Sequence, residues 1–177
     1  MNRQFEVRDE TPADIAAIAD VTVAAFATME MSSQTEHFIV EALRAAGALA
    51  VSLVAEADGR VVGHIAFSPV VMSDGAEGWY GLGPVSVVPE WQRSGIGKAL
   101  VTAGLERLRQ FGARGCCLVG HPAYYGQFGF TNPAGLSYPG VPAEAFFELA
   151  FVGRVPQGTV TFHEAFQATG PAGGASG

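Results

Sequence analysis

The sequence predicts an α/β (α+β) fold in which helices cover a mixed, mostly antiparallel sheet. Three observations lead there. Strand-type segments follow one another at residues 50–55, 60–71 and 79–88, joined by the turns Asp58-Gly59 and Ser73-Asp74-Gly75, which makes an antiparallel meander. Two helical segments precede them. A helical period returns from Gly95 and runs into a short apolar strand at residues 115–119, and a strand–helix–strand unit pairs its strands in parallel through a right-handed crossover.

Taken in order, residues 5–8 form a short first strand. Thr11-Pro12-Ala13-Asp14 is a helix start, with a threonine cap, proline at the first helical position and a carboxylate in the first turn. Ile15, Ile18, Ala19, Thr22 and Phe26 then recur at helical spacing and give that helix a buried face. A second helix spans residues 35–46, with Phe38, Ala42 and Ala45 inward and Gly47 as its stop. The meander that follows leaves one sheet face still to be covered, and Pro89 ends its third strand. From Gly95, Ile96, Leu100, Val101, Leu105 and Leu108 line one side of a helix while Lys98, Glu106, Arg107 and Arg109 line the other, and Gly112 closes it. Residues 122–128 make a short helix. The stretch 134–166 reads as loops with strands near 146–152 and 158–162. Residues 1–167 are expected to form one domain, and 168–177 a mobile tail rich in glycine and alanine.

Composition narrows the function. At 177 residues with 49% hydrophobic and 15% charged residues, the chain is long enough for one sizeable core and too apolar for disorder. The net charge of −7 argues against nucleic-acid binding, which carries a basic footprint. No apolar run reaches the length of a membrane span, and the N-terminus lacks the apolar core of a signal peptide. The two cysteines, Cys116 and Cys117, are adjacent, so on a strand they point to opposite faces and do not bridge. They are too few for a cysteine-built metal site. A reducing cytoplasm and no metal are the expectation.

The most informative segment is a strand, a proline and then Gln92-Arg93-Ser94-Gly95-Ile96-Gly97-Lys98 opening a helix. A Walker A loop fails here: its first glycine would fall at Gln92, and Ala99 replaces the hydroxyl. A dinucleotide fingerprint fails as well, because its third glycine would be Leu100. What remains is Gln/Arg, two residues, Gly, one residue, Gly/Ala, matched at every fixed position. Backbone N–H groups at a helix start point outward unpaired, the helix dipole adds positive charge, and Gly95 and Gly97 let an anion approach closely, with Arg93 and Lys98 nearby.

This segment, together with the order of elements, resembles the GNAT N-acetyltransferases. The longer string from Leu118 to Phe130, LVGHPAYYGQFGF, resembles the YhbS-like branch of that family; the likeness covers roughly residues 3–166. The resemblance implies a sheet splayed at its middle with helices on both faces. It implies acetyl-CoA as cosubstrate, with its pyrophosphate on Gln92, Arg93, Ser94, Gly95, Ile96, Gly97 and Lys98. It also implies that the backbone of Val85, Ser86 and Val87 pairs with the pantetheine amides. Strand 115–119 would diverge there, leaving main-chain groups that a peptide-like ligand satisfies. The acceptor is then a primary amine of a small molecule or a peptide, acetylated by direct transfer. Homodimers are common in the family, though no segment here marks an interface.

The same resemblance makes Tyr125 the proton donor to the departing thiolate, since a thiol has a pKa of about 8.5 and a phenol about 10. Backbone N–H groups near Val87 would face the oxyanion. Tyr124 is read as structural, and Phe128 and Phe130 as core. Where many members carry a glutamate base, this chain has Leu82, Gly83, Pro84 and Ser86. His64, Glu77, His121 or a water chain remain as candidates for that role. Glu30 and Glu36 are candidates to attract a cationic amine. The competing readings are an acyl-CoA-binding sensor without turnover and a plain interaction domain.

Overall fold

The computed structural model describes residues 4–29 and 32–171. Strand β1 (Glu6–Asp9) leads into a 3-10 turn at Pro12–Asp14 and helix α1 (Ile15–Phe26). Asp14 anchors that start. Its carboxylate accepts from the Thr11 backbone N–H at 2.7 Å and from the Arg8 guanidinium at 2.8 and 3.1 Å, which joins the first strand to the first helix. Helix α2 (Glu36–Ala45) ends on Gly47, whose φ of 68° is the left-handed turn that stops a helix.

Strands β2 (Val51–Ala57) and β3 (Arg60–Pro69) form the first hairpin of the meander. The second segment departs from expectation. The strand expected over residues 60–71 stops at Pro69, and Val71–Met72 is a separate strand, β4, in a second sheet. A proline cannot donate to a ladder, and the next N–H, that of Val70, turns to the Trp79 carbonyl at 3.1 Å.

Strand β5 (Trp79–Val87), helix α3 (Ile96–Gln110) and strand β6 (Gly115–Val119) make the crossover unit. Helix α4 (Pro122–Tyr125), β7 (Leu136–Ser137), β8 (Phe146–Ala150) and β9 (Gly158–Thr161) complete the described elements. The main sheet has the order β1-β2-β3-β5-β6-β8, and β4-β9-β7 form the small one. In the main sheet only β5 and β6 run parallel. Beyond Gly115–Val119, the sequence expectation of loops missed β7 and placed the ends of β8 and β9 slightly late.

Helices cover both faces. On one, Ile18 of α1 and Val40 of α2 pack on Val54 of β2. On the other lies α3, close enough that a Cβ on Gly63 of β3 would meet Ile96 and Leu100. In that layer Gly104 of α3 lies against Phe67 of β3, a fully buried ring. A Cβ at Gly104 would fall 2.1 Å from the Phe67 ring. Gly104→Ala is therefore expected to destabilise the fold despite its better helix propensity. Overpacking of this kind costs about 1–3 kcal/mol, and the melting temperature should fall by roughly 2–8 °C. An unchanged melting temperature would show that the layer has room to shift.

The feature that positions the site is where β5 leaves β6. The two pair only through Trp79–Gly115, Tyr80–Cys116 and Gly81–Cys117. Beyond that point, among the described residues, β5 keeps β3 as its only strand neighbour, and Leu118 and Val119 pair only with β8. The separation coincides with a bulge. Ile65 faces Val85 while Phe67 faces Leu82, so β5 carries one extra residue around Gly83 and Pro84. A bulge bends and twists its strand. Gly83, at φ 136°, adopts a conformation that other residues rarely take.

Candidate functional site

The glycine turn joins the diverged end of β5 to α3. A 3-10 turn at Pro89–Trp91 reverses the chain, and the Gln92 side-chain amide donates back to the Val87 carbonyl at 3.1 Å. Arg93 then takes φ 62° and Gly95 φ 90°, so two left-handed residues bracket Ser94. Ser94 is held by a hydrogen bond from its hydroxyl to the Trp91 carbonyl. Gly95 caps the helix, and the first helical bond runs from the Ala99 N–H to its carbonyl at 3.0 Å. As a result none of the backbone N–H groups of Arg93, Ser94, Gly95, Ile96, Gly97 and Lys98 has a backbone acceptor among the described residues. Successive N–H groups in this conformation, on a helix N-terminus, make an anion-binding concavity.

That concavity opens on a cavity of about 680 Å³. Val85 and Val87 of β5 form one wall, the glycine turn with Arg93, Gly97 and Lys98 a second, and the end of α1 with Ala25, Phe26 and Met29 a third. Arg93 and Lys98 are exposed there. Of the residues expected at a cofactor site, Val85, Val87, Gln92, Arg93, Gly95, Gly97 and Lys98 all line this one space. Ser86, Ser94 and Ile96 do not line it. The Ser86 and Ile96 side chains are buried at 1% exposure, and that of Ser94 is bound to Trp91.

The two tyrosines of α4 have different surroundings. Tyr124, read as structural, lines the cavity together with Gln127, three residues on and therefore on the same helical side. Its hydroxyl lies 3.1 Å from where a Cβ on Gly97 would be. Tyr125 is not among the cavity-lining residues. Its ring packs on Gly120 at the end of β6, so closely that a Cβ there would come within 2.3 Å, and it meets Phe130 edge-on at 6.1 Å. Burial pushes the Tyr125 phenol up to about 12, so it holds its proton at neutral pH. Tyr125 thus stands beside the diverged end of β6 in the donor form, with its ring fixed by packing.

The candidate bases separate clearly. Glu77 is exposed at the far end of β5 and lines another cavity, with Arg114 and Arg154. His121 caps α4, its Nδ1 accepting from the Ala123 N–H at 3.1 Å. His64 is fully buried on β3, opposite Ser86. Glu36 accepts from the Ser32 hydroxyl at 2.7 Å and does not line the main cavity, and Glu30 lies outside the described residues.

A sheet split between β5 and β6 beside a glycine turn of this geometry defines the class. The chain belongs to the acetyltransferase (GNAT) family, whose pattern matches residues 13–130. It is 35% identical over 129 residues to the "Uncharacterized N-acetyltransferase YhbS" of Escherichia coli strain K12, spanning 72% of this chain and 74% of that protein. Among solved structures, a GNAT family acetyltransferase from Brucella melitensis in complex with acetyl-CoA superposes with a TM-score of 0.83 at 50% identity, covering 93% of this chain and 99% of that one. The Escherichia coli YhbS structure in complex with CoA gives a TM-score of 0.83 at 31% identity, covering 98% and 97%. No helix among the described residues is long and apolar enough to cross a membrane.

Proposed function

We propose that this chain is an acetyl-CoA-dependent N-acyltransferase, acting by direct transfer on a primary amine of a small molecule or a peptide. The observation that carries this reading is the run of unpaired N–H groups at residues 93–98, opening on the same cavity as the diverged edge of β5. A pyrophosphate and a chain of amides are the ligand parts such a pair of surfaces would satisfy. The relatives from Brucella melitensis and Escherichia coli, solved with acetyl-CoA and CoA, support it.

When bound, acetyl-CoA supplies an activated acetyl thioester. The protein's part is positioning and charge. Gln92, tied to Val87, keeps the turn against the strand end, while Arg93 and Lys98 add positive charge beside the N–H groups. Backbone N–H groups on the open edge of β5 would face the oxygen that gains charge during transfer. Tyr125 is the proposed proton donor to the leaving sulfur, its phenol being protonated at neutral pH. The same reading places the protein in the reducing cytoplasm, where the buried free thiols Cys116 and Cys117 stay reduced.

The test is thiol release from acetyl-CoA measured with a panel of small amines and short peptides. A slow basal release that rises severalfold with particular amines is the expected result. Saturable acetyl-CoA binding with no thiol release for any acceptor would favour the sensor reading instead.

A further inference from the structure

Helix α4 carries a polar group, the Tyr124 hydroxyl, that stands at the main cavity and bonds to no described residue. The helix is only four residues long, and local bonds fix it. His121 caps it by accepting from the Ala123 N–H, and Pro122 takes its first position. The Tyr124 and Tyr125 N–H groups donate to the His121 carbonyl at 3.1 and 3.4 Å. The Gln127 side-chain amide donates to the Tyr124 carbonyl at 2.9 Å. The Tyr124 ring is gripped as well, meeting Tyr125 edge-on at 4.9 Å and Phe128 edge-on at 5.5 Å.

Held in this way, the hydroxyl comes to the glycine turn. It lies 3.1 Å from where a Cβ on Gly97 would stand, so the missing side chain at 97 is what gives it room. Burial raises the Tyr124 phenol above its ordinary value, and it keeps its proton at neutral pH. It is therefore a donor without an acceptor. Its neighbours across the turn are donors too. The backbone N–H groups of residues 93–98 have no backbone acceptor among the described residues, and Arg93 and Lys98 line the same cavity. Donors that converge on one space and lack acceptors in the protein are satisfied together by an anion.

We infer that Tyr124 is a cofactor-binding residue, whose hydroxyl donates to the pyrophosphate of coenzyme A from the α4 side. The inference rests on the acyltransferase reading and carries it to a residue outside the glycine turn. It divides the roles of two adjacent tyrosines: Tyr124 holds the cofactor's phosphates, and Tyr125 serves the leaving sulfur. Both sit on one short helix pinned by His121, so the two ends of the reacting cofactor are set against the same unit.

The test uses Tyr124→Phe, which keeps the ring and its edge contacts and removes only the hydroxyl. Without ligand its melting temperature should stay within about 2 °C of wild type, because the lost group bonds to nothing in the protein. In calorimetry with coenzyme A its affinity should fall about tenfold or more, the scale of a hydrogen bond to a charged group. Phosphorus NMR of both proteins saturated with coenzyme A locates the contact. The pyrophosphate signals should differ between wild type and variant, while the signal of the ribose phosphate stays in place.

An affinity within about twofold of wild type would overturn the inference, since a charged hydrogen bond cannot be lost so cheaply. A weakened affinity with unmoved pyrophosphate signals would overturn it too, by putting the hydroxyl against another part of the cofactor. So would a fall of several degrees in the ligand-free melting temperature, the mark of a hydroxyl bonded within the protein. Failure of the wild type to bind coenzyme A would sink the acyltransferase reading itself, whereas the other outcomes bear on Tyr124 alone.

Discussion

Gly97→Asp should weaken acetyl-CoA binding at least a hundredfold, a loss of about 3 kcal/mol, while the protein stays folded. Gly97 lies in the first turn of α3, within the run of unpaired N–H groups. An aspartate there brings a carboxylate that takes those N–H groups for itself and repels a pyrophosphate. Its Cβ would meet only the Tyr124 hydroxyl, at 3.1 Å, the free end of a half-buried side chain that can turn away. An acidic residue in the first turn also suits the helix dipole, so the melting temperature should change by only a few degrees. Calorimetry alongside thermal unfolding checks both parts. Acetyl-CoA binding within twofold of wild type, in a folded variant, would mean that the ligand site lies elsewhere.

Tyr125→Phe should leave acetyl-CoA affinity within about twofold and lower turnover on the order of a hundredfold, the usual scale for loss of a positioned acid. The ring is held by Gly120 and Phe130, contacts that phenylalanine keeps, so the variant removes the hydroxyl and little else. Tyr124→Phe makes the opposite comparison. Its hydroxyl lies at the glycine turn, so its loss should change affinity more than turnover. Steady-state kinetics on both variants separates the roles. Full turnover in Tyr125→Phe would remove the acid assignment and turn attention to Tyr124, the tyrosine that lines the cavity.

The parts of the fold that were readable from the sequence are those set by local chemistry. The Asp58-Gly59 turn, with both residues at positive φ, makes the β2–β3 hairpin, and the positive φ of Gly112 ends α3 where the sequence placed its stop. The glycine turn was readable for the same reason, because its conformation depends on residues within seven positions of one another. Structure built from distant pairings was not. Strand β7 has two residues and exists only because β9 lies beside it, and β4 leaves the line of β3 to join the same small sheet. The hydrogen-bonded chain from Glu10 through Ser52 to His64 draws on residues spread over three segments, and no periodicity marks it. The two tyrosines illustrate a finer limit. Motif alignment singles out Tyr125, but which of two adjacent side chains faces the cavity depends on the rotation of a four-residue helix. The i, i+3 spacing of Tyr124 and Gln127 is the one local sign that these two share the cavity side.

The central claim is that the turn at residues 92–98 and the open edge of β5 form a single acetyl-CoA site. Calorimetric titration of the intact protein with acetyl-CoA tests it most directly. The account predicts saturable binding at one site per chain, lost in Gly97→Asp and kept in Tyr125→Phe. A folded protein that shows no heat of binding, and no change in melting temperature at millimolar acetyl-CoA, would contradict it.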